Sequence, residues 1–186
     1  MTQHPFVLAT ADGTLTEAAF DGWLLEDHAF VMAFRRFLAG AVVIAPDERA
    51  RDLLCGGLAA LTGELALFRD ELAQRGLDAD THAPSLTCIG YAGWMQASLE
   101  DGWEVALVVL HGVERAYLDA WTAVRERSVG QRYDQFVRNW SSPEFAAWVE
   151  ELAGLLGDGA PTAAQQRAHD RVTEWEHAFW NTVHAG

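Results

Sequence analysis

The sequence predicts an all-α protein, a bundle of six to seven helices. Apolar residues recur with helical spacing through most of the chain, and Ser, Thr, Pro and Gly stand where such segments would begin and end. No run of residues shows the regular apolar–polar alternation of a half-buried strand. Half of the 186 residues are hydrophobic, so the chain can bury a sizeable core, and we expect a single domain over residues 1–186.

Start and stop signals give approximate limits for each helix. Ser or Thr side chains can accept hydrogen bonds from the free N–H groups of a first turn, Pro is tolerated there, and Gly is favoured just after the last turn. The tetrad Ser-Ser-Pro-Glu at residues 141–144 combines two of these signals. In chain order, the predicted helices run from Thr14 or Thr16 to about Leu38 before Gly40, from Pro46 to Gln74 before Gly76, from Pro84 to about Leu99 before Gly102, over residues 104–127 and 133–139, from Pro143 to about Gly157, and from Pro161 through Trp180.

The charge and the cysteine content disfavour several classes of partner. Twenty-seven acidic side chains against 13 basic ones give a net charge of −14, which opposes binding to nucleic acid or to an anionic membrane. The chain shows no signal-type N-terminus and no apolar run long enough to span a bilayer. Its two cysteines, Cys55 and Cys88, lack metal-binding or redox spacing, which fits a reduced cytosol. We therefore expect a cytoplasmic protein that acts on a small molecule, with neither nucleic acid nor membrane as a partner.

Glu114 is an acidic residue on an apolar helix face. Helical spacing places it on the same face as Leu110 and Tyr117, within the largely apolar segment 105–117. A carboxylate in such a place must be paired, hydrogen-bonded or protonated, because an unpaired charge in a dry interior is costly. Taken alone, Glu114 would more often be a paired structural acid than a catalytic one.

Asp27 and Glu176 follow the same pattern. Asp27 lies on the inward face that also carries Trp23 and Phe30, and Glu176 lies within the aromatic run of residues 175–180. Each of them alone is more often a structural partner, but together with Glu114 they could line one pocket. A carboxylate such as Asp27 can accept a hydrogen bond from the exocyclic amine of an aminopyrimidine.

Aromatic residues from four segments accompany these acids. Most of the eight Trp and nine Phe residues are expected to belong to the core. Aromatic side chains around a few polar groups are nevertheless the usual lining of a pocket for a flat heterocycle. The candidate substrate-binding residues are Phe30, Tyr91, Trp94, Tyr117 and Trp140.

A di-iron site is the alternative that an acidic helical bundle first suggests. Such sites use Glu-x-x-His pairs on two different helices, and this chain contains one such pair, Glu174 and His177. Neither Cys55 nor Cys88 has the neighbouring His or basic setting of a nucleophilic thiol. We therefore predict no bound metal and no cofactor.

Several short motifs, taken in order, resemble the TenA (thiaminase II) family over roughly residues 18–181. Their order and spacing are more specific than any one of them. The motifs are Trp23-Leu24-x-x-Asp27-x-x-Phe30-Val31, Ala45-Pro46, Leu58-x-x-Leu61-x-x-Glu64-Leu65-x-x-Phe68, Tyr91, Tyr133-x-x-Phe136-x-x-x-Trp140-x-Ser142-x-Glu144-Phe145 and Trp175-Glu176-x-x-Phe179-Trp180. The resemblance implies a haem-oxygenase-like helical bundle without haem, and a homo-oligomer, either a tetramer or a dimer.

The segment around Glu114 differs from most of that family. Most members carry a nucleophilic Cys on the corresponding helix, whereas residues 110–117 contain none. The chain is similar to a branch in which a Glu takes the place of this Cys. That similarity implies an aminopyrimidine aminohydrolase or amidohydrolase, a hydrolase of non-peptide C–N bonds that works in thiamin salvage. Its substrates would be 4-amino-5-aminomethyl-2-methylpyrimidine, the N-formyl derivative of that compound, or both.

The resemblance also implies a role for each candidate residue. Asp27 would hold the aminopyrimidine, and the aromatic candidates would shape the pocket or stack on the ring. Glu114 would activate water or shuttle protons, and Glu176 would protonate the departing amine. Two alternatives stay open, namely a non-catalytic pyrimidine-binding or regulatory relative, and a di-iron oxygenase of the same overall fold.

Overall fold

Eight α-helices form the regular structure of the computed structural model, which describes residues 1–128 and 133–185. They are α1 (Pro5–Asp12), α2 (Glu17–Ile44), α3 (Glu48–Arg75), α4 (Leu86–Ala97), α5 (Trp103–Arg127), α6 (Asp134–Trp140), α7 (Pro143–Leu156) and α8 (Ala163–Ala185). A 3-10 turn, Ser98–Asp101, follows α4, and no strand occurs among the described residues. The predicted all-α class is therefore confirmed. None of the helices within these ranges has both the length and the apolar character that crossing a bilayer requires.

Helix α5 lies at the centre of the bundle. It packs against α1, α6, α7 and α8 and also contacts α2, while α2 packs along α3 and against α4 and α8. A helix with neighbours on most sides has to be apolar around most of its circumference. This explains why α5 buries Val105, Leu110, Val113 and Trp121. A polar side chain on α5 that faces these neighbours is consequently removed from water.

Side-chain caps define the starts of four helices. Thr16, Asp47, Ser85 and Ser142 each accept a hydrogen bond of 2.8–3.1 Å from the backbone N–H three residues later. Each cap satisfies one of the N–H groups that have no partner within the first turn. Of the two candidates for the start of α2, the structure therefore selects Thr16.

The seven predicted helices are all present, and two features go beyond the prediction. Helix α2 was predicted to end before Gly40, but it continues through this residue to Ile44. Gly40 instead allows close packing of the helix against Leu99. A Cβ atom at this position would lie 2.5 Å from Cδ1 of Leu99. The spacing patterns do not predict α1, whose N-cap is His4, with Nδ1 accepting from the N–H of Phe6. His is not among the favoured capping residues, but Pro5 in the first turn and Gly13 just after the last turn are signals that the sequence analysis did not use.

Glu26 holds the connection between α3 and α4 against α2. Its side chain is buried, and Oε1 accepts hydrogen bonds from Nε2 of His82 at 2.8 Å and from the backbone N–H of Ser85 at 2.9 Å. Its Oε2 accepts from Oγ of Ser85 at 2.7 Å. Because Ser85 caps α4, these bonds set the position of α4 and of Tyr91, which α4 carries into the core.

Replacing Glu26 with Ala should lower the free energy of unfolding by roughly 2–4 kcal/mol, because the donors of Ser85 and His82 would lose the carboxyl group that accepts their hydrogen bonds. Urea unfolding followed by circular dichroism measures this loss. The control is Glu151→Ala at an exposed position of α7, which should change the value by less than about 0.5 kcal/mol. Equal losses in the two variants would contradict the assignment.

Candidate active site

A cavity of about 310 Å³ opens between α3, α5 and α7. Carboxyl, amide and aromatic side chains share its wall, among them Glu64, Glu114, Asn139, Phe145 and Trp148. Two depressions elsewhere are larger, about 480 and 510 Å³, but none of the buried carboxyl groups lines either of them. The cavity is therefore the candidate active site.

Glu114 extends from the central helix α5 to the wall of this cavity. Its side chain is buried, as predicted from its place on an apolar helix face, and Oε1 accepts a hydrogen bond of 2.8 Å from Nε1 of Trp148. Burial raises the pKa of Glu114 to about 8. The neighbouring charge of Glu64 adds to this increase, and the hydrogen bond from Trp148 opposes it.

Glu64 contributes a second carboxyl group to the same cavity, from helix α3. Its Oε2 accepts a hydrogen bond of 3.1 Å from Nδ2 of Asn139. Burial raises the pKa of Glu64 to about 7, while hydrogen bonds from Asn139 and Trp140 lower it. Sequence reasoning placed Glu64 in a family motif but gave it no role. The signal was present, because Glu64 shares the inward face of α3 with Leu61 and Phe68, the same pattern that drew attention to Glu114.

Asp27 lies deeper in the bundle and is completely inaccessible to solvent. The hydroxyl of Tyr117 donates a hydrogen bond to Oδ1. The other oxygen, Oδ2, has no hydrogen-bond partner among the described residues. Burial raises the pKa of Asp27 well above its usual value; the bond from Tyr117 opposes the rise, and the charges of Glu64 and Glu176 add to it. The surroundings of Asp27 therefore favour its protonated form, and one of its oxygens is available for a further hydrogen bond.

Glu176 is also buried, and both of its oxygens are occupied. The hydroxyl of Tyr91 donates to Oε1 at 2.7 Å, and Nε1 of Trp180 donates to Oε2 at 2.9 Å. Burial raises the pKa of Glu176 to about 7, and the two hydrogen bonds oppose this increase. Glu176 thus connects α8 to α4 in the interior of the bundle.

The structure separates the three acids that the sequence suggested for one pocket. Glu114 lines the cavity, whereas Asp27 and Glu176 belong to an inner cluster that does not reach the cavity wall. Glu64 links the two groups electrostatically, because its charge raises the pKa of both Glu114 and Asp27. Trp140 also connects the cavity wall to the inner cluster. It hydrogen-bonds to Glu64, and its ring centroid lies 5.4 Å from that of Tyr117.

The predicted aromatic residues surround the inner cluster instead of lining the cavity. The rings of Phe30 and Tyr91 are 4.7 Å apart, and Tyr117 contacts Trp140. Trp94 stacks on Tyr91 at 6.2 Å and lines the depression of about 510 Å³ on the surface. The aromatic side chains on the cavity wall are those of Phe145 and Trp148. Sequence reasoning placed Phe145 in a family motif without a role and did not single out Trp148, because nothing in the pattern of α7 distinguishes them from core residues.

The Glu-x-x-His pair on α8 lies on the exposed side of that helix. Glu174 and His177 are both exposed, and Oε2 of Glu174 forms an ion pair of 2.9 Å with Arg171. Within residues 1–128 and 133–185, no group of three or more His, Cys, Asp or Glu side chains has an arrangement that would hold a metal ion.

Gly57 gives Trp148 the space that it occupies. A Cβ atom at Gly57 would lie 2.7 Å from Cη2 of Trp148, whereas a Cβ atom at Gly56 would have no neighbour within 4 Å. Gly56→Ala should therefore stabilise the protein by about 0.5–1 kcal/mol, the usual gain within a helix. Gly57→Ala should not stabilise the protein, because the added methyl group would displace the indole of Trp148 from Glu114. Thermal unfolding measures the first effect and the indole N–H resonance of Trp148 the second; identical behaviour of the two variants would contradict the contact.

Comparison with solved structures confirms the haem-oxygenase-like fold. A TenA homologue from Pyrococcus furiosus superimposes with a TM-score of 0.91 at 23% identity, over 98% of this chain and 92% of the homologue. A domain with a heme oxygenase-like fold from Shewanella denitrificans superimposes with a TM-score of 0.71 at 16% identity, over 98% of this chain and 84% of that domain.

Comparison with curated sequences gives relatives along the whole chain. A soybean (Glycine max) protein described as "Probable bifunctional TENA-E protein" is 25% identical over 195 residues, covering 97% of this chain and 85% of its own length. An aminopyrimidine aminohydrolase from Helicobacter pylori is 22% identical over 207 residues, covering 97% and 90% of the two chains. The model of the TENA/THI-4/PQQC family matches residues 1–185, and this chain therefore belongs to the TENA/THI-4/PQQC family.

Proposed function

We propose that this protein hydrolyses a C–N bond of a small aminopyrimidine derived from thiamin, such as 4-amino-5-aminomethyl-2-methylpyrimidine or its N-formyl derivative. One observation carries the proposal: the carboxyl groups of Glu64 and Glu114, which are withdrawn from solvent, and that of the exposed Glu144 share a cavity of about 310 Å³ with the rings of Phe145 and Trp148. The similarity to the TENA-E protein of soybean and to the aminopyrimidine aminohydrolase of Helicobacter pylori supports it.

The size and lining of the cavity suit a single substituted ring. Ligand pockets commonly span roughly 300–1,000 Å³, so a cavity of about 310 Å³ selects for a small ligand. Aromatic walls favour a flat ring, which can stack on them. The carboxyl groups and the amide of Asn139 can exchange hydrogen bonds with amino groups and ring nitrogens.

The carboxyl groups have the acid–base properties that C–N hydrolysis needs. The attacking water has to lose a proton, and the departing nitrogen has to gain one. Such transfers are most efficient when the pKa of the catalytic group lies near the working pH. The pKa of Glu114, raised to about 8, meets this condition, and we assign Glu114 as a catalytic residue.

Neither cysteine places a thiol at the cavity. Cys55 is exposed on α3, and Cys88 is buried, with a pKa raised by burial to about 12. Neither side chain is part of the cavity wall. We therefore propose direct attack by water without a covalent thiol intermediate, in keeping with a branch of the family in which a Glu replaces the nucleophilic Cys.

We propose that binding of the ring extends the substrate site from the cavity past Glu64 and Trp140 to Asp27 and its aromatic neighbours, which do not themselves line the cavity. The free oxygen Oδ2 is the atom that would contact the ring, while Oδ1 stays bound to Tyr117. The aromatic residues that shape this end are Phe30, Tyr91, Trp94, Tyr117 and Trp140. Both oxygens of Glu176 accept hydrogen bonds, one from Tyr91 and one from Trp180. We therefore propose that Glu176 acts on the site indirectly, by holding the hydroxyl of Tyr91 in position.

Replacing Glu114 with Gln should abolish most of the hydrolysis, because the amide cannot exchange a proton. A loss of general acid–base catalysis corresponds to a fall in kcat of roughly 10²–10⁴-fold. Release of ammonia from the aminomethyl compound, or of formate from the formyl compound, measures turnover. Binding of the hydroxymethyl product by calorimetry should change little.

The matched control is Glu104→Gln, an exposed position near the start of the same helix, which should keep wild-type activity. Retention of most activity by Glu114→Gln would refute the assignment of Glu114. Tight binding of aminopyrimidines by a wild-type protein that releases neither product would instead indicate a non-catalytic binding protein.

Asp27 should tolerate Asn better than Ala, because an Asn side chain keeps an acceptor for the hydroxyl of Tyr117 and a polar group for the ring. We expect Asp27→Asn to bind the hydroxymethyl product within about threefold of wild type, and Asp27→Ala to bind it roughly 10–100-fold more weakly. Calorimetric titration measures both, with thermal unfolding as the check on folding. Equally weak binding by both variants would show that the ring requires a charged carboxylate.

A further inference from the structure

We propose that Glu64 is the second catalytic residue of this site: its carboxylate takes a proton from the attacking water while the carboxylic acid of Glu114 gives a proton to the departing nitrogen. The inference rests on the proposed hydrolysis. It adds a residue to the catalytic set and fixes the direction in which each proton moves.

The geometry places the two carboxyl groups on one cavity and gives them different partners. Glu64 receives hydrogen bonds from the amide of Asn139 and from Trp140, and both donors stabilise its charged form. Glu114 receives one such bond, from Trp148. When two acids influence each other, the group with the better donors ionises first and hinders ionisation of the other. Glu64 is therefore the carboxylate of the pair, and Glu114 is the acid.

The titration behaviour agrees with this order. The pKa of Glu64 is raised to about 7 and that of Glu114 to about 8, with the charge of Glu64 among the causes of the latter shift. Between these values the pair holds one proton, mainly on Glu114. A pair of acids whose surroundings separate their pKa values is a common way of dividing acid and base roles between two carboxyl groups.

The remaining buried acids are less suited to act as the base. Asp27 is completely buried and does not line the cavity, and burial raises its pKa well above the usual value. Glu176 does not line the cavity, and both of its oxygens already accept hydrogen bonds. No His side chain contributes to the cavity wall among the described residues. Glu144 also lines the cavity, but it is exposed at the start of α7, whereas the charge of Glu64 acts directly on Glu114. Glu64 is consequently the carboxylate placed to work with Glu114 on a water molecule in the cavity.

The proposed step balances without any further reactant. An O–H bond of water breaks and its proton moves to the carboxylate of Glu64, while the water oxygen forms a bond to the carbon that carries the leaving nitrogen. The C–N bond breaks, its electron pair stays on nitrogen, and the nitrogen takes the proton of Glu114. The products are an alcohol and ammonia, or formic acid and an amine from the formyl compound. Transfer of one proton from Glu64 to Glu114 restores the starting state.

The first test is the pH dependence of kcat/KM. In the wild-type protein we expect activity to fall below about pH 7, where Glu64 becomes protonated, and above about pH 8, where Glu114 loses its proton. Glu64→Gln should lower kcat by roughly 10²–10⁴-fold with KM within a few-fold of wild type, and the loss of activity on the acid side should vanish from what remains. Asp70→Asn, an exposed change on the same helix, should leave rate and profile unchanged.

The second test follows the ionisation of Glu114 by NMR and needs no substrate turnover. The indole N–H of Trp148 donates to Glu114, so its NMR resonance should follow the ionisation of Glu114, and the signal missing from Trp148→Phe identifies it. Removing the charge of Glu64 should lower the pKa of Glu114, so the titration should move to lower pH in Glu64→Gln and stay in place in Asp70→Asn. Should the Gln variant fail to fold, Glu64→Asp, which keeps the carboxyl group on a shorter side chain, should retain the acid-side loss of activity at a reduced rate.

The outcomes distinguish the two proposals. An active wild-type enzyme whose Glu64→Gln variant keeps its rate and its acid-side profile would overturn the role of Glu64 and leave the proposed hydrolysis intact. An unchanged Trp148 titration in that variant would likewise overturn the pairing. A wild-type protein that hydrolyses none of the aminopyrimidines would refute the proposed function itself, whatever the titration shows.

Discussion

The withdrawal from water of four carboxyl groups, the buried Asp27, Glu114 and Glu176 and the half-buried Glu64, is the constraint on which the rest of the site depends. A buried carboxyl group has to be hydrogen-bonded or protonated, and here the donors come from all around the bundle. Tyr117 on α5, Tyr91 on α4, Trp180 on α8, Asn139 on α6 and Trp148 on α7 each supply one. The acids therefore help to set the relative positions of these helices as well as the chemistry of the interior.

The same constraint shifts the titration of these acids. Burial raises the pKa of all four, and the charge of Glu64 adds to the increase for both Glu114 and Asp27. With a pKa raised to about 8, Glu114 favours its protonated form at neutral pH, inside a protein whose net charge is −14. Each proton held there is also available for transfer, because a shared proton can move between carboxyl groups at small cost when their pKa values are close.

Much of this arrangement was predictable one helix at a time. The helix limits followed from caps such as Ser142, and Glu114 and Asp27 were identified as buried because they interrupt apolar faces. Glu64 obeyed the same rule and was overlooked as a site residue. Helix α1 was missed because its cap is an uncommon His, although Pro5 and Gly13 mark its two ends. The close packing of Gly40 on Leu99, from a distant part of the chain, was not predictable.

The sequence by itself determined that the protein is an all-α bundle with carboxyl groups on its buried helix faces, because helical periodicity and capping are local properties of the chain. Its resemblance to a family indicated which of these acids to examine. Only the tertiary structure decided which acids meet, since spacing along one helix fixes a face but not the helix opposite it. That decision paired Glu114 with Glu64 on one cavity, beside Trp148, and placed Asp27 and Glu176 with their tyrosines behind it.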